Sequence, residues 1–456
     1  MSTVFWRTIE KHESHQKALI TDASSLTYRE LCQQVARWET RLNQVLPQRG
    51  LVALRMGNTP AAICAYLACL RLTYPVILYS PALSEAGKAQ MRLALSPALL
   101  IDGEEITVWQ SGQYHLDENL AVILTTSGST GGGKYVALSY DNLRANTNSI
   151  IDYLPMIASD VALLTLPLSY SYGLSVLNTH LEAGASIHLT TMTILDKGFW
   201  QLLETASITS LSGVPSFYEM LIRLRFTNRA LPQLRYFTQA GGKLAGTHVK
   251  TLSDYADKYN KQFFVMYGQT EATARMSYLS PDRVSDKPDS IGRPVPGGAF
   301  LLVDDNGELI ESAGVDGELV YQGPNTMLGY VASASELGTF TPESRLYTGD
   351  VARRDEDGDY YISGRKKRFV KLFGERLSLD GLENLFEEKG FSVKVAGQDD
   401  FIVVACHPSD EAEVINQLGK IVTCPPKARC VIGIGQWPLL ANGKTDYASI
   451  LKMAAS

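Results

Sequence analysis

Apolar residues recur along this chain in two alternating patterns, which predict helices and short buried strands. The segment LTYRELCQQVARWETRLNQVL at 26–46 opens with a Thr cap and carries apolar side chains at helical spacing. Residues 51–56 predict a buried strand, and residues 58–72 predict a second helix. Further strands of the kind found in parallel sheets are predicted at 161–167, 185–190 and 261–268. This alternation predicts a layered α/β architecture.

The pattern changes after about residue 290, where strand–turn–strand segments replace the alternation of helix and strand. Asn306-Gly307 and Asp357-Gly358 stand between apolar runs, as hairpin turns do. The end of the chain predicts a small α+β unit, with helices near 379–389 and 410–420 and strands between them. We therefore expect a β-rich subdomain followed by a separate α+β unit.

Composition narrows the function classes. The chain has 456 residues, with 42 Lys and Arg against 48 Asp and Glu, so its formal net charge is −6. This mild acidity argues against binding of nucleic acid or other polyanions, although one local basic site could still hold a nucleotide. There is no run of about 18 apolar residues, so no membrane span is expected. The six cysteines lack the spacing of metal ligands, and Cys64 and Cys69, which lie in an apolar segment, are expected to be buried thiols. The N-terminal residues lack the pattern of a secretory signal, so we expect a reduced, cytoplasmic protein.

A glycine-rich segment, AVILTTSGSTGGGKYVALS, predicts a strand followed by a polar loop and a lysine. Backbone N–H groups in such a loop can converge on phosphate oxygens, and Lys134 adds positive charge. Gly128, Gly133 and Lys134 match the first part of the P-loop NTPase pattern. However, Tyr135 stands where that pattern needs Ser or Thr to hold Mg²⁺, and the residues after it predict a strand instead of a helix. A Walker-type NTPase and a plain polar hairpin loop remain as alternatives.

The same loop resembles the phosphate loop of the adenylate-forming superfamily. That superfamily includes acyl-CoA synthetases, aryl-CoA ligases, peptide-synthetase adenylation domains and luciferases. Gly133 stands where the family usually has proline before the lysine. The resemblance implies nucleotide contacts from Thr126, Ser127, Gly128, Ser129, Thr130, Gly131 and Lys134.

The segment VMYGQTEAT resembles the most specific internal motif of this superfamily. It implies that Tyr267 stacks on adenine, that Thr270 hydrogen-bonds the α-phosphate, and that Glu271 is the magnesium ligand. Gly268 and Gln269 are implied as further nucleotide contacts. The chemistry agrees, because a hard divalent ion between phosphates needs carboxylate oxygen and an aromatic face suits adenine.

Three further segments resemble the walls of the family's substrate site. LRYFTQAGGKL resembles the adenine-side segment, with Ala240, Gly241 and Gly242 as nucleotide contacts. LPLSYSYGL has Tyr170 at the position where the family commonly has histidine, and SGVPSFYEML contributes Val214. The resemblance implies an acyl pocket formed by Tyr170, Val214 and Gly241.

Two charged motifs complete the resemblance. In YTGDVARRDEDGDYYISGR, Asp350 is implied to accept hydrogen bonds from both ribose hydroxyls, and Arg365 to lie near the ribose and phosphate. WPLLANGKTDY resembles the family's terminal motif, which makes Lys444 a catalytic residue together with Thr270 and Glu271. An ammonium group between the attacking carboxylate and the α-phosphate offsets their mutual repulsion.

In this superfamily a small C-terminal domain rotates between the two half-reactions. The resemblance implies a hinge at Lys367 and passage of the acceptor thiol close to Gly374. We therefore expect an adenylation domain over 1–365, with sheets flanked by helices, and a mobile α+β lid over 366–456.

The resemblance implies that a carboxylic acid reacts with ATP and Mg²⁺ to give an acyl adenylate and pyrophosphate, after which the acyl group passes to a thiol. Amino-acid-activating members usually place an Asp in the segment around Tyr170, to meet the substrate's ammonium group. LPLSYSYGLSVL contains no acidic residue, so we expect a non-amino acid, aliphatic or aryl.

The acceptor is expected to be CoA, because no carrier domain is fused to this chain. The phosphopantetheine thiol of an acyl or peptidyl carrier protein is the alternative. A catalytically silent nucleotide-binding relative is a third hypothesis, and the joint presence of Glu271, Asp350, Arg365 and Lys444 argues against it.

Overall fold

The computed structural model describes residues 4–109, 115–125, 134–373, 375–422, 424–440 and 443–454. The helices are α1 Phe5–Thr8, α2 Tyr28–Val45, α3 Pro60–Arg71, α4 Glu85–Leu95, α5 Tyr140–Tyr153, α6 Ser171–Glu182, α7 Lys197–Thr205, α8 Pro215–Arg223, α9 Gly246–Lys258, α10 Pro281–Val284, α11 Leu379–Glu388, α12 Glu411–Ile421 and α13 Tyr447–Met453. The strands are β1 Lys17–Ile20, β2 Ser25–Thr27, β3 Val52–Arg55, β4 Val76–Tyr79, β5 Leu99–Asp102, β6 Glu105–Val108, β7 Leu120–Thr125, β8 Tyr135–Ser139, β9 Val161–Leu164, β10 Ser186–Leu189, β11 Ser210–Gly213, β12 Tyr236–Gln239, β13 Gln262–Tyr267, β14 Ser277–Leu279, β15 Arg293–Pro294, β16 Ala299–Val303, β17 Gly317–Gln322, β18 Gly329–Val331, β19 Leu346–Arg354, β20 Tyr360–Arg365, β21 Phe369–Leu372, β22 Glu375–Ser378, β23 Val393–Gln398, β24 Phe401–Cys406 and β25 Arg429–Gly433.

Two large sheets form the body of the N-terminal part. The first has nine strands in the order β15-β14-β13-β12-β11-β9-β10-β1-β2, and its strands from β13 to β1 run parallel. The second has seven strands in the order β18-β8-β7-β4-β3-β5-β6, with β7, β4, β3 and β5 parallel. Because helices connect most of these parallel strands, the predicted α/β fold class is confirmed.

The helices between the two sheets follow from their sequences. Thr27 begins α2 with a capping box, in which its hydroxyl accepts from the Glu30 N–H and the Glu30 carboxylate accepts from the Thr27 N–H. Thr59 and Pro60 begin α3, whose residues from Ala62 to Leu70 are all buried. A helix that is apolar all round must be covered on every side, and α3 belongs to a core cluster that includes residues of both sheets. Cys64 and Cys69 are free and buried, as expected, and burial raises the pKa of both thiols to about 12.

The third sheet is the predicted β-rich subdomain. Strands β16, β17, β19 and β20 are antiparallel neighbours in that order. Gly307 and Gly358 have φ angles of 85° and 86°, which confirms the two predicted turns, since both residues occupy the left-handed region. Lys287 fixes the second turn through hydrogen bonds of 2.6, 2.6 and 2.8 Å to Asp355, Asp357 and Asp359.

The C-terminal unit has its own small sheets and its own core. Strands β21 and β22 form a hairpin, β23 and β24 are antiparallel, and β25 runs parallel to β24. Helices α11 and α12 confirm the predicted helices near 379–389 and 410–420. A partly buried ion-pair network crosses this unit: the Arg368 guanidinium stacks on Tyr447 at 3.7 Å and binds Asp380 at 3.0 Å and Glu383 at 2.8 Å. Among the described residues, no helix is long and apolar enough to cross a membrane.

Replacing Thr27 with Ala should lower the free energy of unfolding by about 1 kcal/mol, because the Glu30 N–H loses its side-chain acceptor. Thr40→Ala is the matched control: Thr40 is exposed within the same helix, and alanine there should be neutral or slightly stabilising. Urea denaturation followed by circular dichroism measures both variants. Equal losses in the two would contradict the capping role.

Candidate active site

The glycine-rich loop connects two neighbouring antiparallel strands. Thr125, the last residue of β7, pairs with Tyr135, the first residue of β8, so both ends of the loop are fixed at one point of the sheet. The predicted contacts Thr126, Ser127, Gly128, Ser129, Thr130 and Gly131 lie outside the described residues. Since a strand and not a helix follows the loop, the Walker-type alternative is wrong.

Tyr330 joins Lys134 to Glu271. The Lys134 ammonium lies 4.0 Å from the centre of the Tyr330 ring, and the Tyr330 hydroxyl donates a 2.7 Å hydrogen bond to Glu271 Oε1. Burial, the Glu271 charge and this hydrogen bond all raise the pKa of Tyr330, so the tyrosine remains a donor to the carboxylate. The sequence analysis does not single out Tyr330, because its contact with Glu271 depends on pairing between β18 and β8.

The motif at 267–273 forms a tight turn directly after β13. Thr270 begins a short 3-10 turn, and its hydroxyl lies 3.3 Å from the Ser171 hydroxyl at the start of α6. Gly268 permits this turn, because a Cβ there would lie 1.8 Å from the carbonyl oxygen of Ala274. The Gln269 Nε2 atom is buried and has no hydrogen-bond partner among the residues that the structure describes. This amide group is therefore available to a ligand.

Asp350 lies at the junction of the first sheet with the β-rich subdomain. It is 5% exposed and accepts a hydrogen bond from the Tyr267 hydroxyl on Oδ2. Its Oδ1 atom forms a 2.7 Å ion pair with Arg365 Nε, which the register of β19 and β20 places directly opposite. Each carboxylate oxygen has a second lone pair, so Asp350 can still accept hydrogen bonds from a ligand.

Lys444 reaches this site from the C-terminal unit. Its neighbour Gly443, with a φ of 79°, accepts a 3.2 Å hydrogen bond from the Ser216 hydroxyl of α8. Burial and the nearby Arg365 charge lower the pKa of Lys444, whereas the charges of Asp350 and Glu271 raise it. Lys444 is therefore close enough to all three groups to interact with them electrostatically.

The predicted acyl-pocket residues also meet. A Cβ on Gly241 would lie 2.9 Å from the Tyr170 hydroxyl and 3.1 Å from Val214 Cγ1, and Gly241 has a φ of 90°. A side chain at position 241 is thus excluded by both sterics and backbone conformation. Val214 also packs against Gly443, since a Cβ on Gly443 would lie 2.8 Å from Val214 Cγ2. The wall of the pocket is therefore in contact with the segment that carries Lys444.

The adenine-side residues next to Gly241 are held by backbone contacts. The Ala240 N–H donates to the Gly213 carbonyl at 3.2 Å, and the Gln239 side chain donates to the Gly242 carbonyl at 2.8 Å. Ala240 is buried, and Gly242 packs against Pro215. These small residues leave the backbone surface flat, as a ring that packs against it requires.

The C-terminal unit makes one further contact with the N-terminal part of the chain, at the surface of the protein. Lys243 donates hydrogen bonds to Asn384 Oδ1 at 2.8 Å and to Glu387 Oε2 at 3.4 Å, and Glu387 also accepts from the Gly246 N–H at 3.2 Å. Sequence reasoning missed this contact, because long charged residues on an exposed helix face give no distinctive pattern.

The predicted hinge residue Lys367 lies in a short 3-10 turn between β20 and β21, and Gly374, the residue predicted beside the acceptor thiol, lies outside the described residues.

The described residues fit a nucleotide with one divalent ion. Asp350 retains acceptor capacity, the Gln269 amide lacks a partner, and Glu271 is a carboxylate whose described side-chain hydrogen bond comes from a neutral hydroxyl. Mg²⁺ usually binds through one or two carboxylates plus substrate phosphates, so a single Glu is sufficient. The acidic cluster of Asp355, Asp357 and Asp359 is a different case, because it already forms ion pairs with three cationic side chains, those of Arg283, Lys287 and Arg293.

Comparisons with known proteins agree with this geometry. A family model described as "AMP-binding enzyme" matches residues 92–331. The chain is 25% identical over 413 residues to a D-alanine–D-alanyl carrier protein ligase of Bacillus licheniformis, covering 82% of this chain and 81% of that protein. It is 30% identical over 277 residues to an indoleacetate–CoA ligase of Aromatoleum aromaticum, covering 60% of this chain and 53% of that protein.

Among solved structures, ATP-bound MatB from Rhodopseudomonas palustris superposes with a TM-score of 0.83 at 23% identity, covering 99% of both chains. The fold is therefore the same over essentially the full length. The chain belongs to the AMP-binding enzyme family: it is a ligase that uses ATP and Mg²⁺ to convert a carboxylic acid to an acyl adenylate and then transfers the acyl group to a thiol.

Proposed function

We propose that this enzyme activates a non-amino carboxylic acid, aliphatic or aryl, and transfers it to CoA. The observation that carries the adenylation step is that Lys444 lies within electrostatic reach of Glu271, Asp350 and Arg365, of which the last two form an ion pair. These four residues come from separate sequence motifs, and a chain without adenylation activity has no need to keep them together.

In the proposed first half-reaction, the substrate carboxylate attacks the α-phosphorus of ATP and pyrophosphate leaves. Lys444 lies between the two anions and stabilises the charge that develops on the phosphoryl oxygens. Thr270 donates a hydrogen bond to the α-phosphate, and Asp350 holds the ribose while Tyr267 packs against adenine. Mg²⁺, held by Glu271, would neutralise phosphate charge. The protein supplies no nucleophile, because the substrate carboxylate reacts directly.

The nature of the acid is inferred from the charge of the pocket segment. Residues 166–174 contain no acidic side chain that could meet a substrate ammonium group. Gly173 leaves no room for one, since a Cβ there would lie 2.3 Å from the carbonyl oxygen of Pro167. These observations favour an acid without an amino group.

The second half-reaction is proposed to follow rotation of residues 366–456 about Lys367. Lys444 must then leave the adenylate, and the loop that contains Gly374 must approach it. Several polar contacts between described residues hold the present position: the Ser216–Gly443 hydrogen bond near the pocket, and the contacts of Lys243 and Gly246 with Asn384 and Glu387 at the surface. Polar contacts at an exposed interface are compatible with repeated opening.

The choice of CoA over a carrier protein is supported by similarity to CoA ligases, among them the indoleacetate–CoA ligase. Similarity to a D-alanyl carrier protein ligase keeps an acyl or peptidyl carrier protein as the second candidate acceptor. The free cysteines in the described residues are compatible with the reducing cytoplasm, where ATP and thiol acceptors are available.

Pyrophosphate release in the presence of ATP, Mg²⁺ and pooled carboxylic acids tests the proposal, with and without CoA. Release that depends on one acid pool and increases with CoA is the expected result. Release that CoA does not affect would assign the acceptor to a carrier protein. Inorganic phosphate in place of pyrophosphate, or no nucleotide turnover with any acid, would overturn the proposed reaction.

Lys444→Ala should reduce adenylation by about 10²–10³-fold, because the transition state loses its positive charge. The same variant should still form thioester from supplied acyl adenylate at close to the normal rate. Lys452→Ala, an exposed lysine of α13, is the control and should leave both half-reactions intact. Equal activity of the Lys444 and Lys452 variants in adenylation would refute the assignment of Lys444.

Lys367→Pro should reduce thioester formation by more than about tenfold and leave adenylation nearly unchanged, because a fixed φ restricts rotation of the lid. Lys367→Ala keeps the backbone free and should retain both half-reactions. Single-turnover measurements of acyl adenylate formation and of thioester formation separate the two steps. A proline variant that loses both steps equally would place the hinge elsewhere.

A further inference from the structure

Arg275 is a buried cation without an anionic partner. Its side chain is 3% exposed, and no carboxylate of a described residue forms an ion pair with it. Two contacts of its guanidinium group with described residues are with neutral side chains: Nε lies 3.4 Å from Met266 Sδ, and the guanidinium carbon lies 3.9 Å from the centre of the Tyr172 ring. A buried charge destabilises the folded protein unless an opposite charge or hydrogen bonds compensate for it. A cation–π contact offsets only part of this destabilisation.

The tyrosines around Arg275 do not supply the missing negative charge. Burial raises the pKa of Tyr170 to about 12 and also raises the pKa values of Tyr153 and Tyr172. The Arg275 charge opposes each of these increases but does not cancel them. All three hydroxyls therefore stay protonated at neutral pH.

The fold does not need an arginine at this position. The backbone of Arg275 is fixed by its carbonyl oxygen, which accepts hydrogen bonds from Asn146 at 3.0 Å and Asn325 at 2.9 Å. These contacts do not depend on the side chain. A methionine or leucine would fill the space beside Tyr172 without the cost of burying a charge. The guanidinium group thus requires an explanation other than packing.

Arg275 lines a small cavity of about 10 Å³, which is the space of one water molecule, so a larger ligand has to displace side chains of the cavity wall. Helix α6 begins directly after Tyr170 and forms one wall of this cavity, and strand β12, which leads to Gly241, forms another. The polar residues of the wall are Ser175, Thr179, His180, Ser212, Tyr236 and Thr238. Burial lowers the pKa of His180, so Arg275 is the charged residue of the described wall.

A carboxylate that acts electrostatically on residues of the cavity wall, Asp160, already has a cationic partner. Asp160 interacts with His180 and Tyr236 electrostatically, but its Oδ1 atom forms a 2.5 Å ion pair with Arg235. Arg235 therefore offers a matched comparison: it is an arginine with a protein partner, whereas Arg275 has none among the described residues.

We infer that Arg275 binds a second carboxylate at the distal end of the substrate, so that the acid activated by this enzyme is a dicarboxylate. This inference rests on the proposed function, since it concerns the acid that enters the acyl pocket. The planar guanidinium fork matches a carboxylate through two parallel hydrogen bonds. The bound substrate supplies the anion that the fold lacks, and the first carboxylate remains free to react at Lys444.

The test compares linear dicarboxylates of increasing chain length, each paired with the monocarboxylate of the same carbon count, in acid-dependent pyrophosphate release. Wild-type enzyme should favour one dicarboxylate over its paired monocarboxylate by at least about 10²-fold in kcat/KM, because a site that hydrogen-bonds a polar group rejects analogues that lack it. Arg275→Met should reduce this ratio to near one, and Arg275→Lys should retain part of it. A wild-type preference for monocarboxylates, or an unchanged ratio in Arg275→Met, would overturn the inference.

Thermal unfolding provides a second readout that needs no turnover. Arg275→Met should unfold at the same temperature as the wild type or higher, because it removes an uncompensated charge, whereas Arg235→Met should unfold lower because it leaves Asp160 unpaired. The preferred dicarboxylate should raise the melting temperature of the wild type and of Arg235→Met but not that of Arg275→Met. Loss of stability in Arg275→Met without any change in ligand response would assign the arginine a structural role instead.

The two readouts also separate this inference from the proposed function. Stabilisation by a dicarboxylate without pyrophosphate release would refute the proposed reaction and support the role of Arg275. Pyrophosphate release with monocarboxylates alone would support the reaction and refute the dicarboxylate.

Discussion

The buried carboxylate of Asp350 is the group on which the geometry of the site depends. Tyr267 reaches it from the end of the nine-stranded sheet, and Arg365 reaches it from the last strand before the C-terminal unit. A carboxylate removed from water is stable only with such partners. The first sheet and the β-rich subdomain must therefore assemble around Asp350 before the site exists.

The same carboxylate belongs to a balance of four charges. Asp350 and Glu271 are negative, Arg365 and Lys444 are positive, and the electrostatic effects on Lys444 come from all the others. In the proposed reaction, a bound triphosphate adds negative charge at this point and favours the charged form of Lys444. The nucleotide therefore favours the lid position that brings the lysine to it. After pyrophosphate leaves, much of that attraction is lost, and the lid is free to move.

The sequence was informative where function depends on short contiguous motifs. Tyr267, Asp350, Arg365 and Lys444 were singled out by their motifs, and the structure brings them into one site, although their individual roles stay predictions. The layered α/β fold was also predictable, because buried parallel strands and amphipathic helices have different periodicities.

Contacts between distant segments were not predictable in the same way. Tyr330 meets Glu271 only because β18 pairs with β8, and a register between strands that lie far apart in sequence leaves no local signal. Arg275 follows a recognised motif by two residues, yet its burial depends on α6 and on its own backbone contacts with Asn146 and Asn325. The pattern of polar and apolar residues alone would place an arginine at the surface.

The close packing of Gly173 against the Pro167 carbonyl has an evolutionary consequence. Enzymes of this family can change substrate by replacing side chains in the pocket, but here a carboxylate at position 173 would first require the backbone at the start of α6 to move. In terms of the proposed function, a descendant that selects amino acids would have to acquire that movement in addition to a new carboxylate. The proposed substrate choice is thus constrained by main-chain geometry as well as by the side chains of the pocket.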